Sequence, residues 1–505
     1  MNRTHKSEED FRGISPAEFF YRNRQMAGFG NPTQSVYSTV RELVENSLDA
    51  CEDAQQLPRI RVCIQSHRSN ILTVSVSDNG AGVPYAHVPE AFGRVLYGSK
   101  FGHKQKRGTF GLGVTMAILH GQITTDEPVS VHTRTTEGPG MIFRILIDVE
   151  RNTPIVENKE VLRRREQGTT VTVKLRGDLK RAQERVEEYL RLTTVVSPHA
   201  QIALVIDDSS SKVMGGFVDT VPEMPVPTRP HPRAADLELL RRLIESSRPK
   251  GLRDFLIDSF QQLGTRTATR LLGFLAMDQS IQVKTMERED ISRLGAGLRR
   301  FDGFSSPSGK SLSPIGKDAF LKSVAATFNT KMLSYTHSAT CEWGGNAFGI
   351  EGVVALGDDF PSADIPTLYR FANRVPLLYD ASEDILSKVL RQVNWSRYGR
   401  TGPKPVALFI HFFSTKVPYK AAGKQAIAQT SQIEEAALAV YRRLGRSLSK
   451  SIKKHNRSLR DTKRIREFSE LFRLVAKYGS ALAESETVPS TAKMVKILFE
   501  ASDDV

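Results

Sequence analysis

In the stretch RELVENSLDA (41–50), Glu42, Asn46 and Asp49 stand at positions i, i+4 and i+7. The composition is helical, so all three project from one face while Val40, Val44 and Leu48 line another and can pack inward. A carboxylate one turn from an amide oxygen suits general-base work beside a hard cation, because Mg²⁺ prefers oxygen ligands. Asp78-Asn79-Gly80-Ala81-Gly82 follows directly on a candidate strand. Gly80 and Gly82 let the backbone approach a flat ligand, and Asp78 can accept a hydrogen bond from an exocyclic amine. Gly108-Thr109-Phe110-Gly111-Leu112-Gly113-Val114-Thr115, with Lys100 and Arg107 upstream, precedes the apolar run Met116–Leu119. Backbone N–H groups at such a helix start form a natural phosphate cradle. Gly168-Thr169 opens another strand, where the Thr169 hydroxyl could complete a base pocket. Taken singly, these pieces also read as a surface helix, a tight turn and a glycine-rich loop. No Walker A loop competes with them: Gly303 to Gly309-Lys310-Ser311 has five intervening residues rather than four, and Pro307 is among them.

The elements that would carry these residues can be read from periodicity. Leu72, Val74 and Val76 alternate with Thr73, Ser75 and Ser77, and Val171, Val173 and Leu175 alternate with Thr170, Thr172 and Lys174, the pattern of half-buried strands. PEMPVPTRPHP (222–232) cannot continue a helix or a central strand and marks a domain boundary. From Ala234 to Arg300 the pattern is helical with short turns, and from Ser306 it is mixed again, with strands expected at Ile350–Ala355 and Val406–Phe413. A helix is expected from Gln425 to Ala483, with Ile433, Ala437, Val440, Leu444, Leu448 and Ile452 forming one apolar stripe. Between Arg442 and Arg466 it carries eleven Lys/Arg against the single acid Asp461, either a solvated face or a surface for DNA or another subunit.

Composition narrows the class. The 505 residues exceed one ordinary domain, and 71 Lys and Arg against 56 Asp and Glu leave a formal charge of +15. That excess favours a polyanionic partner, nucleic acid before a membrane surface. The N-terminus has no apolar core of the kind a secretory signal needs, and no apolar run approaches the ~20 residues of a spanning helix. Cys51, Cys63 and Cys341 have no paired spacing, against a disulfide scaffold or a zinc cluster. The expectation is a soluble, intracellular, multidomain, basic chain with no membrane role.

In order and spacing, the four pieces together resemble the ATPase superfamily shared by gyrase, a heat-shock chaperone, histidine kinases and mismatch-repair MutL, built on the Bergerat nucleotide fold. SPAEFFYRNRQMAGFGNP (15–32), FGRVLYGSK (92–100), RGTFGLGV (107–114), SPSGKSLSPIG (306–316), RFANRVPLLYD (370–380) and STKVPYKAAGKQAIA (414–428) are more specific and resemble the B subunits of DNA topoisomerase VI. The resemblance implies an α+β multidomain chain: a Bergerat ATPase domain (1–228), a helix-two-turn-helix domain (229–305), and a transducer domain ending in a long helix (306–505). It implies that Glu42 activates the attacking water, Asn46 holds Mg²⁺, and Asp78 reads adenine. ATP would also be bound by Asp49, Gly80, Gly82, Ser99, Lys100, the run Gly108 to Thr115, and Thr169. Lys424 would be a transducer lysine that reaches the γ-phosphate. The partners implied are a tyrosine-bearing A subunit in an A2B2 assembly, a second B subunit on ATP binding, and duplex DNA. The family often has Ala-Asp at Gly309-Lys310, and Lys where Ser396 stands in Trp395-Ser396-Arg397-Tyr398. Some members add an immunoglobulin-like domain, which this chain is too short to hold. Two other readings remain: a chaperone-type or mismatch-repair clamp, and a non-hydrolysing recombination scaffold.

Overall fold

The computed structural model describes residues 13–98, 105–107, 111–162, 166–207, 209–398, 404–421, 423–488 and 490–491. The N-terminal region runs α1 (Pro16–Arg22), α2 (Pro32–Asp53), β1 (Arg59–Ser66), β2 (Ile71–Ser77), α3 (Val88–Gly93) and α4 (Gly113–Thr125). It continues through β3 (Val129–Arg134), β4 (Gly140–Asp148), β5 (Thr153–Leu162), β6 (Gly168–Arg176), α5 (Leu179–Val196), β7 (Gln201–Ile206) and β8 (Lys212–Gly215). These strands form one sheet in the order β5-β4-β3-β6-β2-β1-β7-β8. The expected alternation in β2 and β6 is what lets the sheet bury one face: Leu72, Val74, Val76, Val173 and Leu175 share a core with Val40, Val44 and Leu48 of α2 and Met116 to Leu119 of α4. Each such side chain, fully buried, is worth about 1.5–3 kcal/mol. The antiparallel register pairs Ser77 with Thr170, so the turn leaving β2 meets the residue opening β6. That register brings Asp78 to Thr169.

After the connector, which has no helix or strand until a short 3-10 turn at Pro232–Ala234, come α6 (Leu237–Ser246), α7 (Leu252–Ser259), α8 (Thr265–Leu275) and α9 (Arg288–Arg300). They enclose a core of their own around Leu240, Phe255, Leu271 and Leu298.

The remainder contains α10 (Lys317–Thr327), β9 (Thr330–His337), β10 (Cys341–Trp343), β11 (Asn346–Gly357), β12 (Ser362–Ala363), β13 (Thr367–Ala372), β14 (Val375–Pro376), α11 (Ile385–Gln392), β15 (Lys404–Ser414) and α12 (Ser431–Leu482). The central strands β11 and β15 are buried on both faces, which is why Val406–Phe413 shows no polar alternation. Ile350, Val354, Leu408 and Ile410 meet α11 and α12 on one side. Val353, Ala355, Ala407 and Phe409 face the other side, in a core that includes Leu192, Val195 and Val196 of α5. The last core therefore joins the N-terminal region to the C-terminal one. This is the expected α+β architecture with several cores.

One element starts later than its periodicity suggests. Residues 425–430 fold back, with Ile427 bridged to Tyr419 and its N–H donating to Asp384 Oδ2 at 2.8 Å. Thr430 then caps α12 by accepting from Ile433 N–H at 3.4 Å. The predicted stripe from Ile433 to Ile452 is buried, and beyond it Ile465, Leu471, Leu474, Val475 and Tyr478 are exposed. No helix among the described residues is long and apolar enough to cross a membrane.

Candidate functional site

Helix α2 supplies most of the site, and its start is well fixed: Asn31 accepts from Gln34 N–H at 2.8 Å, with Pro32 in the first turn. The Glu42 side chain lies against the first residue of α4. A methyl added to Gly113 would stand 1.7 Å from Glu42 Oε2, so no residue larger than glycine fits there without displacing the carboxylate. Among the described residues no side chain caps that end of α4, whose positive dipole end lies beside the Glu42 carboxylate.

Glu42 Oε1 accepts from Arg41 Nη2 at 2.5 Å, and Oε2 lies 3.4 Å from Lys424 Nζ. Lys424 is 382 residues downstream of Glu42 and donates to Glu45 Oε2 at 2.9 Å. Arg41 Nη1 donates to Gly423 O at 2.8 Å, which ties the backbone of the lysine loop to α2. Lys424 itself has φ +53°, a left-handed conformation that a lysine adopts only when its surroundings impose it. Arg41, Glu42, Glu45 and Lys424 are all buried, giving two cations and two carboxylates in one desolvated cluster. Burial alone would raise the Glu42 carboxyl, but Lys424 and Arg41 outweigh it and hold it down at about 2. Burial and the neighbouring Glu42 charge push Glu45 upward, against the pull of Lys424 and Arg41.

Asn46 Nδ2 donates to Glu42 O at 2.8 Å, which assigns Oδ1 as the atom able to ligate a cation. An amide oxygen fits a hard ion such as Mg²⁺, and no cluster of His, Cys, Asp or Glu among the described residues forms a rival metal centre.

Asp78 is buried and held from two elements. Its Oδ1 accepts from Gly80 N–H at 2.9 Å and Thr169 N–H at 3.2 Å, and its Oδ2 accepts from Ser47 Oγ at 3.0 Å. Gly168 allows this approach, since at φ +129° an added methyl would meet Asp78 O at 2.0 Å. Gly82 turns the chain at φ +72°, and Thr169 Oγ1 pairs with Thr133 Oγ1 at 3.4 Å. Leu112 is the N-cap residue of α4, Thr115 Oγ1 returns to Leu112 O at 3.0 Å, and Gly111 and Val114 flank them. Ser99, Lys100, Gly108, Thr109 and Phe110 lie outside the described residues.

Asp49 departs from the grouping that its spacing suggests. Its carboxylate is engaged by Arg107 Nη1 at 3.0 Å, in a second polar cluster. There Arg107 also holds Glu52 through two 2.7 Å bonds, His199 Nε2 reaches Glu52 at 2.8 Å, and Arg374 approaches Glu52 at 3.7 Å. The residues just before the glycine-rich loop are fastened across the fold as well: Gln105 bonds Ser313, and Lys106 O accepts from Asn373. Sequence reasoning passed over Arg41, Glu45 and this cluster. The available signal was the density of charge on α2, an Arg41/Glu45 pair at i, i+4 beside fully buried Val40 and Val44. In the Trp395–Tyr398 turn, Trp395 is buried with Nε1 donating to Leu390 O at 3.1 Å, and Tyr398 packs on Gly445 of α12. Ser396 and Arg397 are exposed.

Comparison with known proteins bears on two regions. Residues 32–179 match the family described as histidine kinase-, DNA gyrase B-, and HSP90-like ATPase. Residues 307–464 match the family described as topoisomerase VI B subunit, transducer. A Sulfurisphaera tokodaii protein, named as the B subunit of type 2 DNA topoisomerase 6, is 36% identical over 467 residues, covering 91% of this chain and 88% of the relative. A Saccharolobus islandicus protein of the same name is 35% identical over 458 residues, covering 88% and 86%.

Proposed function

The chain belongs to the family of type 2 DNA topoisomerase 6 B subunits, and on that premise we propose that it works as an ATP-closed clamp on duplex DNA. It is an ATP-dependent topoisomerase B subunit with a GHKL-type ATPase domain and a transducer domain. It acts on DNA with a partner subunit, inside the cell. In the proposed cycle, ATP binding pairs two B subunits in an A2B2 assembly and one duplex passes through a break made by the A subunit. The boundaries that best suit this plan are an ATPase domain at 1–228, a helix-two-turn-helix domain at 229–305 and a transducer domain at 306–505.

The observation that carries the proposal is the reach of Lys424, from the loop before α12, to Glu42 on α2. In the proposed mechanism Glu42 takes a proton from the attacking water, and the N-terminal amides of α4 and Lys424 face the phosphoryl group on which charge builds. Asn46 Oδ1 would hold Mg²⁺, which when bound supplies charge neutralisation between phosphate oxygens. Asp78 would receive the adenine amine at an oxygen already oriented by Ser47, Gly80 and Thr169. Presence of the acid, amide and lysine together weighs against a non-hydrolysing scaffold. The test is relaxation of supercoiled plasmid by this chain with ATP and its cognate A subunit. Relaxation is expected only when both subunits and ATP are present, and relaxation by either subunit alone would reject the proposal.

Asp78→Asn provides a check on the adenine assignment. The amide can still accept from Gly80 and Thr169, but its NH₂ replaces the oxygen that receives a donor. ATP and ADP should both bind about tenfold more weakly or worse, as expected when a site loses a matched hydrogen bond. Equilibrium binding of a fluorescent adenine nucleotide measures this, and unchanged affinity would place the adenine elsewhere.

A further inference from the structure

Lys424 has a seat made by the protein itself. Its ammonium is buried against Glu45 at 2.9 Å and Glu42 at 3.4 Å, so the group proposed to contact a phosphate already has an anionic partner on α2. Glu45 is the nearer of the two, and Glu42 is shared with Arg41 Nη2. Glu45 lies 3.6 Å from Arg41 Nε without a hydrogen bond to it, and its buried Oε1 has no hydrogen-bond partner. Lys424 is therefore its main partner. We propose that Glu45 is a positioning residue that competes with the γ-phosphate for Lys424, so that ATP binds by exchange of the ammonium from Glu45 to phosphate. The inference rests on the γ-phosphate reading of Lys424.

A consequence follows from charge. The formal charges of Arg41, Lys424, Glu42 and Glu45 cancel, so moving the ammonium off Glu45 needs a competing anion at the site. A diphosphate lacks the third phosphoryl group and does not draw it away, which sharpens discrimination between ATP and ADP.

The experiment measures affinity for a non-hydrolysable ATP analogue and for ADP in the wild type, Glu45→Gln, Lys424→Ala and the double variant. Glu45→Gln should tighten analogue binding roughly tenfold with ADP within twofold, the scale of one coupling between two sites. In the Lys424→Ala background the same substitution should leave the ratio unchanged. Equal changes for both nucleotides, or an effect that survives without Lys424, overturns the proposal and leaves the γ-phosphate reading intact. If Lys424→Ala alone leaves the ATP-to-ADP preference unchanged, the γ-phosphate reading fails and takes the proposal with it. Amine-specific labelling of the wild-type chain needs no variant to fold. Without nucleotide, Lys424 should label at least tenfold more slowly than the exposed Lys453 and Lys463, and equally fast labelling shows that the seat is not occupied.

Discussion

Glu42→Gln should bind ATP within a few-fold of the wild-type affinity and lose turnover by ~10²–10⁴-fold, the usual cost of removing a positioned general base. The substitution keeps the shape that fits against Gly113, and its carbonyl can still accept from Arg41. It removes the charge proposed to take the proton. The proposed adenine contact is Asp78, held by Ser47 and Thr169 rather than by Glu42, so affinity has no reason to follow turnover. Steady-state phosphate release set beside nucleotide affinity distinguishes the two. A variant that hydrolyses ATP at close to the wild-type rate would show that another group activates the water.

The second large effect is expected for Lys424→Ala. Hydrolysis should fall by ~10²–10³-fold, the scale seen when one donor to a developing charge is lost. ADP affinity should stay within twofold, because the proposed contact is with the third phosphate alone. Plasmid relaxation by the assembled complex should fall with hydrolysis, since the same loop leads within a few residues into α12. A loss of ADP affinity that matches the loss of turnover would instead make Lys424 a structural partner of Glu42 and Glu45. Thermal unfolding of the variant controls for this, because both carboxylates lose a buried partner.

Local pattern was enough for much of this fold. The spacing of Glu42 and Asn46, the alternation of β2 and β6, and the stripe from Ile433 to Ile452 are all consequences of one helix or strand burying one face. Their physics is contained in a few neighbouring residues. Arg41 and Glu45 were not legible, because their burial depends on a loop 379 and 382 residues away that supplies Lys424 and Gly423 O. Asp49 was legible as a helix-face residue but not as the partner of Arg107, since Glu42 and Asp49 share a face while different loops cover its two ends. The start of α12 departs from its periodicity for a related reason. Gln425 to Gln429 have acceptable helical composition, and only the pairing of Ile427 with Tyr419 and Asp384 pulls them out of the helix.

Helix α12 has a mechanical consequence. Its apolar stripe is buried as far as Ile452, and thirty more residues carry it to Leu482 with few buried side chains among those described. At 1.5 Å per residue this free arm is ~45 Å long. A ~10° swing of the packed root would sweep its tip through ~8 Å, more than the full pitch of an α-helix, 5.4 Å. The root lies next to the loop that carries Lys424, so the arm would act as a lever whose short end is the proposed phosphate contact of that residue. A shift of a few ångströms at a nucleotide would be read out as a displacement large enough to separate a pair of macromolecular surfaces.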